Sequence, residues 1–309
     1  MKKILILANP SSGKKNSVDI AQTAEKTFKS KGWHCVTRIT KQKSDIAKYT
    51  TEACADKADY LVVTGGDGTV NEVLNALKER AYRPVLGILP AGTANNIAVG
   101  WGMSTDIHKA INQLVDAKQE KCDVGEVNDH LFLSTLSSGT LPETVWEVSG
   151  KMKEAYGPIA YFLEGIKSLK DEKVYRYDLI LDGQKLKRES TLLLVGVSHN
   201  VSGIPHFFSE AKMNDGKLHL FTLDQTTLGD KIVVLSKLIR NNETGTMPSS
   251  VTIDSFEEAT IRLMDDTTHV ALDGEKGPDF PLNIKVRADY LTVLIPERVD
   301  RSLLFKNRS

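Results

Sequence analysis

The run Gly65-Gly66-Asp67-Gly68-Thr69 constrains this chain more than any other stretch, because an apolar segment (Tyr60, Leu61, Val62, Val63) leads into it and a helical pattern leaves it. Glycines permit positive φ and let main-chain N–H groups approach an anion that a Cβ would hold off. Val70, Val73, Leu74 and Leu77 recur at helical spacing, and Thr69 with Glu72 three positions on reads as a capping box. Strand, tight turn and helix N-terminus follow in that order. Such a turn offers unsatisfied N–H groups and the positive end of a helix dipole to a polyphosphate.

The surrounding pattern says what the turn is built into. Up to about residue 125, apolar strands (Ile4 to Ala8, Val36 to Ile39, Leu61 to Val63, Val85 to Leu89) alternate with helices such as Val18 to Phe28 and Val70 to Leu77. This predicts an α/β domain with a mostly parallel sheet covered on both faces, its ligands bound beyond the carboxyl ends of the strands. Three loops meet that condition: Asn9 to Lys14, Gly65 to Thr69 and Pro90 to Asn96.

From about residue 126 the strands shorten: Leu131 to Leu133, Tyr177 to Leu181, Leu192 to Val197, Leu218 to Thr222, Ala259 to Leu263, His269 to Leu272 and Ile284 to Val286. Asp182-Gly183 is a hairpin signal, and Asp265-Asp266 is expected to turn another pair. This half reads as a mainly antiparallel β-sandwich with two helices added. One carries Tyr156, Ile159, Ala160, Leu163 and Ile166 on a single face; the other covers about Leu228 to Ile239, and both are expected to pack on the sheet. The division is therefore 1–125, completed by 291–309, and 126–290.

Composition narrows the function. Forty basic and forty acidic residues cancel, which argues against a nucleic-acid footprint. No stretch approaches the roughly 18 consecutive apolar residues of a membrane span, and Met1-Lys2-Lys3-Ile4 runs straight into a strand, so the expected setting is the cytoplasm without a signal peptide. Cys35, Cys54 and Cys122 are odd in number with no CxxC, which indicates reduced, mostly buried thiols rather than disulfides or a zinc site. For the tail Arg301 to Ser309, contact with anionic lipid and packing back on the body are both open.

The first loop, Asn9-Pro10-Ser11-Ser12-Gly13-Lys14, lacks the GK[ST] of a Walker sequence yet follows a strand and supplies small residues and a lysine. The third, Leu89-Pro90-Ala91-Gly92-Thr93-Ala94-Asn95-Asn96, again sets a glycine and a hydroxyl after a strand. Far downstream, Asp273-Gly274-Glu275 follows a β-run, and two acids flanking a glycine suit a proton acceptor or a metal ligand. His199, Asn200 and His206 fall in a loop and are expected to be solvated or capping.

In that order, Asn9-Pro10 with Gly13, Thr40, Gly65 to Glu72, Leu89 to Asn95, Asp123-Val124-Gly125, Asn214-Asp215-Gly216-Lys217-Leu218 and Asp273-Gly274-Glu275 resemble the bacterial diacylglycerol and related lipid kinases, which share their catalytic fold with sphingosine kinases. The resemblance covers nearly the whole chain. It implies an ATP- and Mg²⁺-dependent kinase that phosphorylates a lipid hydroxyl at the membrane surface, with diacylglycerol or a near relative as acceptor. ATP would lie between the domains, and the β-domain would hold the acyl chains. Apart from the resemblance, a homodimer through the β-domain stays open.

Carried onto this chain, the resemblance implies ATP contacts from Asn9, Pro10, Ser11, Ser12, Gly13, Thr40, Gly65, Gly66, Asp67, Gly68, Thr69, Val70, Asn71, Glu72 and Thr93. It implies Glu275 as the base, with Asp273 beside it. Asp215, helped by carbonyls near Lys217 and Lys212, would hold a structural magnesium, while Asp67 and Asp123 would join the water-linked network of the nucleotide's own magnesium. Phosphoryl transfer is mostly positioning and charge neutralisation, which these groups suit.

The chain departs from that pattern at Asn96, where an acid is usual, at Ser134, where an asparagine is usual, and in the loop Ser198 to Phe208. Two alternatives stay open. NAD kinases also carry GGDG before an Asn-Glu helix, although Leu89 to Thr93 and Asp273-Gly274-Glu275 favour lipid kinases. A nucleotide-binding protein without catalysis is the other, prompted by Asn96 and opposed by the retention of Asp273 and Glu275.

Overall fold

The computed structural model describes the 309-residue chain apart from residues 14–15, 140–172, 202–203, 205–206, 241–246, 266 and 307–309. It divides into two units, Met1–Cys122 with Asp289–Arg301 and Asp123–Ala288 with Ser302–Ser309.

In the first unit, β1 (Lys3–Ala8), β2 (His34–Ile39), β3 (Tyr60–Gly65) and β4 (Val85–Pro90) pair in parallel in the order β2-β1-β3-β4. The long strand β16 (Leu282–Ile295) joins β4 in parallel, with Val293 opposite Leu86. Every residue of β3 is buried, as expected of a parallel strand covered on both faces. The covering helices are α1 (Ser17–Ser30), α2 (Ser44–Ala55), α3 (Asp67–Ala76), α4 (Asn96–Gly100) and α5 (Ile107–Val115). Helix α1 turns Ile20, Ala21, Ala24 and Phe28 inward, one apolar stripe at helical spacing.

The capping box is not there. Helix α3 begins at Asp67 behind an N-cap at Gly66, with no side-chain cap. Thr69 is drawn away by Asn9 and Ser12, and Glu72 pairs instead with Lys43 at 2.9 Å. A buried hydroxyl with two polar neighbours has better partners than the helix end.

The second unit is mainly antiparallel. After β5 (Lys118–Val127), a turn with Asn128 and Asp129 at φ 42° and 69° leads into β6 (His130–Phe132). One sheet runs β12 (Val251–Phe256), β11 (Leu218–Leu223), β10 (Leu192–Gly196), β7 (Thr135–Gly139), β14 (Val270–Leu272), β15 (Glu275–Lys276). The other sets the start of β16 beside β13 (Glu258–Leu263), β8 (Tyr175–Leu181) and β9 (Gln184–Ser190). Leu136, Tyr177, Leu193, Leu220, Phe256, Ile261 and Leu282 form their shared core. Asp182 and Gly183, at φ 47° and 83°, turn the β8–β9 hairpin as their sequence predicts.

Helix α6 (Leu228–Arg240) stands where the second helix is expected; the one predicted around Tyr156 lies outside the described residues, as do Lys14, His206 and Asp266. After the short helix α7 (Arg301–Leu304), Leu304 and Phe305 are buried, and Met213 N–H donates to Leu304 O at 2.7 Å. Residues 302–306 thus belong with the second unit rather than with the first. Packing back is the outcome for this part of the tail.

The three thiols are free, and burial pushes that of Cys35 up to about 11. Among the described residues no helix is long and apolar enough to cross a membrane.

Candidate active site

Asn9, at the carboxyl end of β1, ties the first two loops of the first unit together. Its N–H donates to Thr64 O at 3.1 Å, and its Nδ2 donates to Thr69 Oγ1 at 2.9 Å. Its Oδ1 accepts from Ser11 N–H at 3.1 Å and Thr40 Oγ1 at 3.4 Å, while its carbonyl accepts from Ser17 Oγ at 2.7 Å. Ser12 Oγ lies 3.1 Å from Thr69 Oγ1. Pro10, having no N–H, adds no donor to be satisfied.

The third loop reaches the other two backbone to backbone. Gly13 has φ 46°, and a Cβ on it would lie 2.5 Å from Ala91 O. Gly65 leaves room for the Thr69 side chain, 2.7 Å from where its own Cβ would be. Ala91 N–H donates to Gly65 O at 3.0 Å. Asn95, at φ 55°, staples the loop: its Oδ1 accepts from Gly92 N–H at 2.7 Å and its Nδ2 donates to Gly92 O at 2.8 Å. Asparagine tolerates the left-handed region and bonds nearby main chain, a signal legible in Gly-x-x-Asn.

Asp67 fastens α3 to α4. Its Oδ2 accepts from Asn96 N–H at 2.9 Å and its Oδ1 from Ile97 N–H at 3.0 Å. Val70 is buried and its N–H is spent on Gly66 O at 3.1 Å, so this residue supplies packing. Asn71 accepts from Asn75 Nδ2 through its carbonyl and its Oδ1. Gly68 is half-buried and Thr93 exposed beside them.

This cradle fits a nucleotide's phosphates. Side chains at 13, 66 or 92 would strike the neighbouring loop and force the three loops apart, and the cradle they form includes the N-terminus of the ten-residue α3. Asn96 Oδ1 is buried with no hydrogen-bond partner among the described residues, an acceptor suited to a donor carried by a ligand or its magnesium-bound water.

In the second unit, Asp273 and Glu275 part company. Asp273, at φ 49° and 8% exposed, accepts from Leu133 N–H at 2.9 Å, Ser134 N–H at 2.8 Å and Thr135 N–H at 2.9 Å. It anchors the turn between β6 and β7. Only the main chain of Ser134 serves here. Glu275 opens β15 and is exposed, which leaves it the better placed of the two acids to meet a substrate.

Asp123 is 1% exposed, and its Oδ2 accepts from Gly216 N–H at 2.7 Å. Asp215 accepts from Lys212 N–H and Lys217 N–H, both at 2.9 Å, and from His219 Nε2 at 3.0 Å. Among the described residues no three His, Cys, Asp or Glu side chains stand together as a metal site. The sequence announces His219 only by its place four residues beyond Asp215. His199 is buried rather than solvated, its carbonyl accepting from Phe208 N–H at 3.3 Å.

Residues 3–127 match the diacylglycerol kinase catalytic domain family, and residues 136–295 match the YegS C-terminal NAD kinase beta sandwich-like domain family. The chain is 26% identical over 312 residues to a diacylglycerol kinase of Staphylococcus epidermidis, covering 99% of this chain and 96% of that protein. A diacylglycerol kinase of Staphylococcus carnosus is 26% identical over 311 residues, covering 99% of each. The crystal structure of a diacylglycerol kinase from Bacillus anthracis shares the fold, with a TM-score of 0.76 at 24% identity over 96% of this chain and 98% of that one.

Proposed function

The chain belongs to the diacylglycerol kinase family and is a lipid kinase, and on that premise we propose that it transfers the γ-phosphate of Mg-ATP to a hydroxyl of diacylglycerol or a close relative of it. The observation that carries the nucleotide half is the contact of the three glycine loops, where a Cβ on Gly92 would stand 2.4 Å from Gly66 Cα. Backbone packed this tightly holds N–H groups in fixed directions, which is what recognition of a polyphosphate needs.

In this reading Asn9, Ser12, Thr40 and Thr69 set the first loop against α3, and the N-terminus of α3 receives the phosphates. Magnesium bound with the nucleotide would supply neutralisation of phosphate charge. Glu275 takes the proton of the acceptor hydroxyl as its oxygen bonds to the γ-phosphorus; the bond to the bridging oxygen breaks and ADP leaves. Asp273 keeps the turn that presents Glu275 in shape. The acceptor is assigned from the relatives' names, and reversible contact with a membrane surface follows from where such an acceptor resides.

The test is transfer of labelled γ-phosphate from Mg-ATP to mixed micelles of diacylglycerol, monoacylglycerol, phosphatidylglycerol, sphingosine or undecaprenol, with NAD as control. Label in diacylglycerol or monoacylglycerol is expected. Label confined to sphingosine, phosphatidylglycerol or undecaprenol would reassign the acceptor, and label in NAD alone would overturn the proposal.

A further inference from the structure

The loop 212–219 of the second unit is where the resemblance and the structure disagree. The resemblance implies a structural magnesium on Asp215. The Asp215 carboxylate, however, is already met by protein donors: Oδ2 accepts from Lys212 N–H at 2.9 Å and His219 Nε2 at 3.0 Å, and Oδ1 accepts from Lys217 N–H at 2.9 Å. The two side chains are enclosed, 8% exposed for His219 and 12% for Asp215.

The imidazole is held in place by its strand. In β11, His219 stands between Gly196 of β10 and Ser255 of β12. Gly196 has no side chain to obstruct Phe208; a Cβ there would meet Phe208 Cε2 at 2.5 Å. The Phe208 ring lies with its centroid 5.6 Å from that of His219, and so fixes the imidazole with Nε2 toward Asp215.

The rest of the loop is closed in the same way. Gly216 N–H donates to Asp123 Oδ2 at 2.7 Å and Lys306 N–H to Asn214 Oδ1 at 2.6 Å. Lys212 Nζ donates to Ser302 O at 2.7 Å and Leu303 O at 3.3 Å. Magnesium asks for near-octahedral oxygen ligands at about 2.0–2.1 Å and keeps several waters. An enclosed carboxylate ringed by two main-chain N–H groups and an imidazole N–H meets neither demand.

We propose that His219 takes the place of a structural cation, so that the 212–219 loop of this chain is closed by an imidazole N–H on Asp215 and needs no divalent ion. Closure by His219 bears on folding rather than on phosphoryl transfer, and it is tested with neither nucleotide nor lipid. Mn²⁺ is titrated into the full chain with the free ion read by electron paramagnetic resonance, and thermal midpoints are recorded in EDTA and in excess Mg²⁺. The expected result is the same midpoint in both, with no Mn²⁺ whose retention depends on Asp215. His219→Ala is expected to lower the midpoint by several degrees in either solution, and His219→Gln, which keeps a side-chain N–H donor, to recover part of the loss. One Mn²⁺ per chain retained by the wild type and lost in Asp215→Asn would overturn the proposal, as would a Mg²⁺-induced rise in the wild-type midpoint that Asp215→Asn abolishes. Should the His219 variants not fold, the wild-type Mn²⁺ titration decides alone: absence of a retained ion supports the proposal.

Discussion

Gly66 and Gly92 meet through their main chains: a Cβ built on Gly92 would lie 2.4 Å from the Cα of Gly66. Neither atom belongs to a side chain that can rotate away, so Gly92→Ala must push the third loop off the second. The expected loss is about 1–3 kcal/mol of stability, with weaker ATP binding alongside it. Gly229→Ala is the control, since only Thr227 Oγ1, at 3.6 Å, lies near its added methyl and alanine favours a helix. Urea unfolding and nucleotide titration of the two variants read both effects.

Asp273 gathers three main-chain N–H groups from Leu133, Ser134 and Thr135. Asp273→Ala strands all three, one buried and two half-buried, and the expected cost is about 2–4 kcal/mol. Asp273→Asn keeps an acceptor oxygen but turns an N–H₂ toward the donors, so an intermediate loss is expected. Equal unfolding midpoints for the wild type and both variants would show that the turn stands without this carboxylate.

These cases also show what the chain's residues announce and what they hide. The continuous apolar strands, the helical stripe of α1, the Asp182-Gly183 hairpin and the glycine loops are legible because each rests on a local rule of periodicity or backbone freedom. The partners of Thr69 are hidden because Asn9 is 60 positions away, and no local pattern weighs a distant amide against the helix end. Asp273 and Glu275 look alike in sequence, yet one is turned inward by main-chain donors at 133–135 and the other outward. His219 is equally silent, since its role depends on Gly196 making room for Phe208. Sequence reasoning thus finds acids and glycines but not which of them the fold has already used.

Asp224 gives a pH signature. Burial, the largest cause, holds its carboxyl above the usual aspartate range, with Arg188 acting the other way and Glu189 reinforcing the rise. Because the folded state binds this proton more tightly than the unfolded chain, the group favours folding below its ordinary value, and that contribution is lost as pH rises through the raised folded value. Asp224→Asn is therefore expected to be more stable than the wild type at neutral pH. The advantage should shrink to nothing as pH falls below the ordinary aspartate range, which paired thermal melts from neutral to acid pH would reveal; a constant difference would place the effect elsewhere.

Glu275 separates positioning from chemistry. It is exposed at the first residue of β15, so Glu275→Gln should leave stability within about 0.5 kcal/mol of the wild type. The glutamine keeps the size of the side chain and removes the basic oxygen. If this carboxylate accepts the proton of the acceptor hydroxyl, transfer should fall by about 10²–10⁴-fold while ATP affinity, under the proposal that the glycine loops of the first unit set it, stays unchanged. Single-turnover transfer and equilibrium nucleotide binding on the same preparation distinguish the two quantities. Near-normal transfer would remove Glu275 as the base, and since Asp273 is engaged by three main-chain donors, the proton would then have to leave by a group other than these two acids.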